Sequence, residues 1–375
     1  TPEQLKSEFY RLACTFYVSP GNERTYVVLS GLNENMPAAM QLFEKLLADA
    51  QVNKEAYSNM AEDILKARSD AKLNQGQNFS RLMNFAMYGP KSPATNILTK
   101  TELTKMDPQA LVDRIHNQNS YQHRILYYGP SSSKEILEII DQNHKVPATL
   151  KEIPAGDEFP YLETPATKVL IAPYEAKQIY MSQISNTDKK FDPAIEPTRA
   201  LYNEYFGGSM NSIVFQEMRE TRGLAYSAWA TLNEPRYLKY PYMVFTQIAT
   251  QNDKMIDAIN TFNEIINNMP ESEKAFQLAK EGLINRLRTE RIIKSDIIWS
   301  YISAQDLGEN VDSRIKLYND IQNMTLKDIV NFQKEWMKDR TYVYCILGDK
   351  KDLDMDKLKT VGPIEELTQE QIFGY

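Results

Sequence analysis

"TYVVLSGLNENMPAAMQLFE", residues 25–44, reads as a strand, a short polar turn and an amphipathic helix. "YMVFTQIATQNDKMIDAINTFNE", residues 242–264, repeats that order. Ala39 and Phe43 of the first stretch correspond to Ala258 and Phe262 of the second, 219 positions later in both cases. A further pair of stretches, 103–140 and 321–358, each shows a helix, a strand of alternating apolar character, a glycine turn and the start of another helix. Their turn glycines, Gly129 and Gly348, are again 219 positions apart. Several segments kept in order at one offset are the sequence signature of an internal repeat.

Each copy therefore reads as an α+β unit. The expected architecture is two homologous domains, each an antiparallel β-sheet covered by helices on one side. Between the copies Pro147, Pro154, Pro160 and Pro165 interrupt any continuous helix or central strand, so residues 146–166 read as an extended linker. The expected domains are 1–145 and 167–375. In the second copy a strand near "KVLIAPYEAKQIYMSQIS" and a helix through "EPTRALYNEYF" precede Ser212. The first copy opens with "TPEQLKSEFYRLACTFYVS", which matches only the part from about Ser212 onward. Its opening strand and helix are expected upstream of Thr1, so the sequence reads as part of a longer protein.

Composition is ordinary for a globular chain of 375 residues, with 42% hydrophobic and 25% charged residues. A formal charge of −7 argues against a general phosphate-binding role, and hence against a nucleic-acid partner. No apolar run approaches the length of a membrane span. Compartment is left open, with a bacterial cytoplasm or periplasm both fitting. Cys14 and Cys345 each sit in apolar context and read as buried thiols rather than a disulfide framework.

The chemistry-bearing motifs are few. His116, His123 and His144 stand in no H-E-x-x-H or H-x-x-E-H frame, and they read as surface or loop residues. "GPSSSK", residues 129–134, lacks the second glycine of a phosphate loop and reads as a bend before a helix. There is no G-x-S-x-G elbow. Most of the 22 tyrosines read as packing residues, and the N-x-S/T patterns at Asn78 and Asn323 are of a kind that arises often by chance.

One segment stands apart: "SIVFQEMRETRGLAYSAWA", residues 212–230. Ile213, Val214, Phe215 and Met218 mark the buried stripe of a short helix that Gly223 stops. Arg219 and Arg222 complement the negative end of that helix. A strand is expected from Leu224 or Ala225, with Tyr226, Ala228 and Ala230 on one face. A helix end followed at once by a strand can bring Arg219 and Tyr226 onto one surface. Read without further context, the two are a dipole-compensating arginine and an edge aromatic.

This segment resembles the C-terminal half of the zinc peptidases that include pitrilysin, insulin-degrading enzyme and the mitochondrial processing peptidase. An arginine followed seven residues later by a tyrosine around a "GLAY"-like turn is the shared frame, here Arg219 and Tyr226 within "FGGSMNSIVFQEMRETRGLAYS". The likeness extends over the whole chain, to the repeated units, the proline-rich link and the closing "IEELTQEQIFGY". It implies a clamshell of two halves, with H-x-x-E-H, zinc and a glutamate base in the N-terminal half. This chain has no H-x-x-E-H, so by resemblance it holds no metal or cofactor and is inactive alone. Arg219 and Tyr226 would be its catalytic contribution, contacting the transition state and substrate carbonyl across the cleft. The implied partners are the catalytic half, in the same gene or a separate subunit, and peptide substrates. Two alternatives remain open: a non-catalytic partner subunit of a two-chain peptidase, and a structural relative with no proteolytic role.

Overall fold

The computed structural model describes residues 1–21 and 23–375. Its chain divides into two compact units, one of residues 1–67 and 98–158, the other of residues 68–97 and 159–375. This division differs from the boundaries expected from sequence, because residues 68–97 cluster with the second unit. Residues 146–166 hold no helix or strand beyond a single parallel bridge between Tyr121 and Lys151.

The first unit contains a two-stranded antiparallel sheet. Strands β1 (Cys14–Pro20) and β2 (Thr25–Gly31) pair from Cys14 opposite Gly31 to Pro20 opposite Thr25. Its small core gathers Phe9, Cys14 and Ala39, with Phe16 and Phe43 packed against them. Phe16 lies 5.0 Å from Phe9 and 5.6 Å from Phe43, centroid to centroid, so helix, strand and helix meet through one line of rings. Residues 122–128, expected as a strand, form none. The reason is pairing. Its counterpart in the second unit is hydrogen-bonded on both sides, whereas no strand pairs with 122–128 among the described residues. The "GPSSSK" stretch bends as expected and leads into the helix Ser133–Asn143, which Ser132 and Glu135 cap reciprocally.

The second unit is built on six strands: β3 (Lys168–Ala172), β4 (Gln178–Lys190), β5 (Ser227–Asn233), β6 (Pro241–Gln251), β7 (Val343–Leu347) and β8 (Ile364–Glu366). Their order is β5-β6-β4-β7-β3-β8. Pairing is antiparallel from β5 through β7, but β3 runs parallel to both β7 and β8. The α+β class holds, and the sheet is mixed at one edge rather than wholly antiparallel.

Period-two alternation sorts the strands between two cores. Val169, Ile171, Met181, Tyr344 and Ile346 face the helices Glu196–Phe206, Met255–Asn267, Glu273–Thr289 and Leu326–Trp336. Leu170, Ala172, Val343, Cys345 and Leu347 face the other way, onto Phe79, Leu82 and Ala86 of the helix Gln75–Tyr88 and onto Ile372 and Phe373. The cover is thus two-sided where one side was expected. Residues apolar on both faces of β3 and β7 require it, since one bare face would leave Leu170, Cys345 and Leu347 in water. Both cysteines are free and buried, as their apolar context implied, and burial pushes the Cys345 thiol well up from its ordinary value.

Candidate functional site: the turn from Ser212 to Tyr226

The Ser212 side chain caps the segment by accepting from the Phe215 amide at 3.4 Å. One turn of α-helix, Ile213–Phe215, opens at once into a π-helical turn, Gln216–Thr221. A π turn is uncommon and found often at functional sites. Ile213, Val214 and Met218 are buried as expected, but Phe215 is only half-buried. Gly223 then adopts φ +57°, the left-handed conformation that ends the helix. The Met218 carbonyl accepts from the amides of Leu224 (2.8 Å) and Ala225 (3.3 Å), folding the chain back over the turn. The Tyr226 amide donates to Ala249 at 3.0 Å and sets the register of the following strand, which begins at Ser227, later than the sequence suggested.

The two arginines of this turn part company. Arg222 is tied down: its Nη1 donates to Thr261 Oγ1 at 3.1 Å and Glu264 Oε2 at 3.0 Å. Arg219 makes a loose ion pair with Glu220, 3.5 Å away, and its side chain keeps 42% exposure. Its guanidinium carbon lies 5.0 Å from the Phe215 ring centre and 5.4 Å from that of Tyr226. Tyr226 is 73% exposed, although Ala228 and Ala230 on the same alternation are buried. The difference is position. Tyr226 precedes the strand and lies beyond the core, over Arg219 instead of over apolar residues.

The two predicted site residues are therefore together. Phe215, assigned from sequence to the buried stripe, is a third member, with its ring centre 5.0 Å from the Arg219 guanidinium carbon. The geometry presents a planar, permanently charged donor group and a solvent-facing phenol on one surface. Lys254 braces the turn by donating to the Gly223 carbonyl at 3.0 Å. At the end of β6 a groove of about 770 Å³ is lined by Glu175, Ala176, Lys177, Gln251, Asn252, Asp253 and Asp352. Neither Arg219 nor Tyr226 lines it.

Among the described residues, no group of three or more His, Cys, Asp or Glu is placed to hold a metal ion. No helix of the described residues is long and apolar enough to cross a membrane. His123 and His144, read from sequence as surface or loop residues, meet with their Nε2 atoms 2.8 Å apart.

Residues 124–283 match the family described as the peptidase M16 inactive domain. No curated protein matches the sequence. Among solved structures, the chain is similar to a peptidase M16 inactive domain from Pseudomonas fluorescens, with TM-score 0.68 and 16% identity over 92% of this chain and 83% of that one. It is similar to a conserved protein from Enterococcus faecalis V583, with TM-score 0.72 and 15% identity over 94% and 86%. It is also similar to the periplasmic protease PqqL from Escherichia coli, with TM-score 0.69 and 12% identity over 93% of this chain but 39% of that one.

Proposed function

We propose that this pitrilysin-like chain, with its peptidase M16 inactive-domain match, forms the non-zinc-binding wall of a clamshell metalloendopeptidase site. In this reading a catalytic half, in the same polypeptide or a separate subunit, brings H-x-x-E-H and the zinc that activates water. The equal bounds of the helices Met36–Ala48 and Met255–Asn267, 219 positions apart, support the internal repeat that such a half requires.

The observation that carries the proposal is the Arg219 guanidinium placed over the ring of Phe215 and that of an exposed Tyr226. Attack on a peptide carbonyl develops an oxyanion, which is stabilised best by a donor already in place. The Tyr226 hydroxyl is such a donor. Arg219, steadied by two ring faces, can hold a neighbouring substrate carbonyl without first losing much side-chain freedom. Because these groups stand on a different half from the metal, cleavage would require closure, and closure would exclude water.

Peptide cleavage by the catalytic half, measured with wild-type chain and with Tyr226→Phe, tests this. Loss of the hydroxyl should lower turnover by about a hundredfold or more, with thermal unfolding unchanged. Full turnover in Tyr226→Phe would remove the proposal and favour a structural role for the fold.

A further inference from the structure

At the 219-residue offset read from sequence, β2 (Thr25–Gly31) falls on β6 (Pro241–Gln251). The short helical turns that follow them, Asn33–Asn35 and Asn252–Lys254, coincide end for end. Residues 124–128 fall in the same way on β7 (Val343–Leu347). In the second unit β4 lies between β6 and β7 and pairs antiparallel with both. In the first unit β2 pairs with β1 alone, and no strand lies beside residues 124–128, among the described residues. The bridge nearby, Tyr121 to Lys151, is parallel and carries only as far as the Gln122 amide. Burial records the difference. Ile125, Leu126 and Tyr128 are 45%, 37% and 53% exposed, whereas Tyr344, Cys345 and Leu347 at the corresponding positions are buried. Val27, Val28 and Leu29 of β2 are only half-buried.

We propose that β2 and residues 122–128 form a slot for one further β-strand, supplied by the stretch of the same polypeptide that precedes Thr1. Order along the chain selects this occupant. β4 comes before β5 and β6 in sequence, so its counterpart comes before β1 and β2. Residues 2–11 do not supply it, because they form a helix. The two neighbours set the occupant's form. It runs antiparallel to both, with the length over which β4 meets β6, Gln178 to Asn186, and β7, Tyr180 to Ile184. It is apolar on both faces, because Ile125 and Leu126 are successive residues and stand on opposite faces of a strand. One end of the slot is already fixed. Asn33 Nδ2 donates to Ser131 Oγ at 3.0 Å, and the Tyr127 hydroxyl donates to Asn33 Oδ1 at 2.7 Å. The corresponding Asn252 instead reaches the Ala176 carbonyl, just before β4 begins, at 3.5 Å. Insertion pairs the open edge of β2 and takes exposed apolar side chains out of water, which drives it. None of this depends on a role for Arg219 or Tyr226.

The test is hydrogen–deuterium exchange, read by mass spectrometry, on residues 1–375 and on the polypeptide extended upstream to its natural start. In the extended polypeptide the amides of Thr25–Gly31 and of residues 122–128 should exchange at least about tenfold more slowly. Those of β7, paired on both sides, should be slow in both proteins and serve as the reference. Ile125→Asp should remove the added protection in the extended polypeptide, and Ile125→Val should keep it. In residues 1–375 Ile125→Asp should change nothing, because that side chain is exposed, and this shows that the first unit still folds. Equal exchange in the two proteins overturns the proposal, as does a polypeptide with no residues before Thr1. Protection that appears in residues 1–375 as concentration rises also overturns it, since a second copy then fills the slot.

Discussion

The Arg219 guanidinium carbon lies over both the Phe215 and the Tyr226 ring, 5.0 and 5.4 Å from their centres. One cation thus links Phe215 of the helical turn to the residue just before strand β5. If both groups act on one transition state, Arg219→Ala should lower peptide turnover with the catalytic half present. The double variant with Tyr226→Phe should lose less than the product of the two single losses. Stability should change little in either, about 0.5–1 kcal/mol for an exposed cation–π contact. Multiplicative losses in turnover would show the two residues acting separately.

Much of this arrangement is legible in the sequence because it is local. Gly223 announces the left-handed stop, and the seven-residue spacing across it places Arg219 and Tyr226 on one surface. The π turn is not legible. Its widened hydrogen bonding leaves no periodic mark in six residues, so Phe215 was read as core. Long-range pairing decides the rest. The segment 122–128 alternates like β7 but lacks the flanking strands that β7 finds in β3 and β4. His123 and His144, 21 positions apart, meet only because Glu44 and the Tyr121 carbonyl orient them.

Two glycines should respond differently to alanine. At Gly223 an added Cβ meets nothing within 4 Å, so Gly223→Ala costs only the left-handed backbone term, about 1–2 kcal/mol. At Gly207 the same Cβ would sit 2.3 Å from the Ala230 carbonyl oxygen and 2.4 Å from its nitrogen. Neither is a flexible side chain that can move aside. Gly207→Ala should therefore cost about 3 kcal/mol or more. Urea unfolding of the two variants checks the order, and a milder effect at Gly207 would contradict the close approach of helix end and strand.

Stability should fall with rising pH through one carboxyl group. Burial first, and the Glu196 charge second, push Glu234 up to about 7, with Arg199 opposing the shift and Glu309 adding to it. The folded state then keeps a proton that the unfolded chain has already released. Stability is fully present below the ordinary carboxylate pKa of about 4.5 and declines until pH passes about 7. The Glu234 side chain retains 38% exposure, so solvent screens the effect and the change should be modest. Glu234→Gln should flatten the fall in melting temperature between pH 5 and 8. An unchanged slope would place the titration elsewhere.

The last relationship concerns the sheet edge beside the candidate site. Strand β5 is the outermost of six, and an outermost strand offers unpaired amides and carbonyls to other chains. Here the helix Glu196–Phe206 closes part of that edge. Asn203 Oδ1 accepts from the Leu232 amide at 2.9 Å, and Asn203 Nδ2 donates to the Leu232 carbonyl at 3.0 Å. Arg199 Nη1 reaches the same carbonyl, also at 3.0 Å. The carbonyl therefore has a second donor, whereas the amide depends on Asn203. Leu232 is fully buried, so Asn203→Ala leaves a buried amide without a partner, at a cost of about 1–3 kcal/mol. Asn203→Asp keeps the acceptor that the amide needs, and Arg199, which already bonds the Leu232 carbonyl, offsets the repulsion between that carbonyl and the new carboxylate oxygen, so it should cost less. Chemical unfolding of the two variants, with light scattering to register association through the opened edge, gives the comparison. Equal losses, or a greater loss in Asn203→Asp, would mean that the amide at Leu232 is not what Asn203 protects.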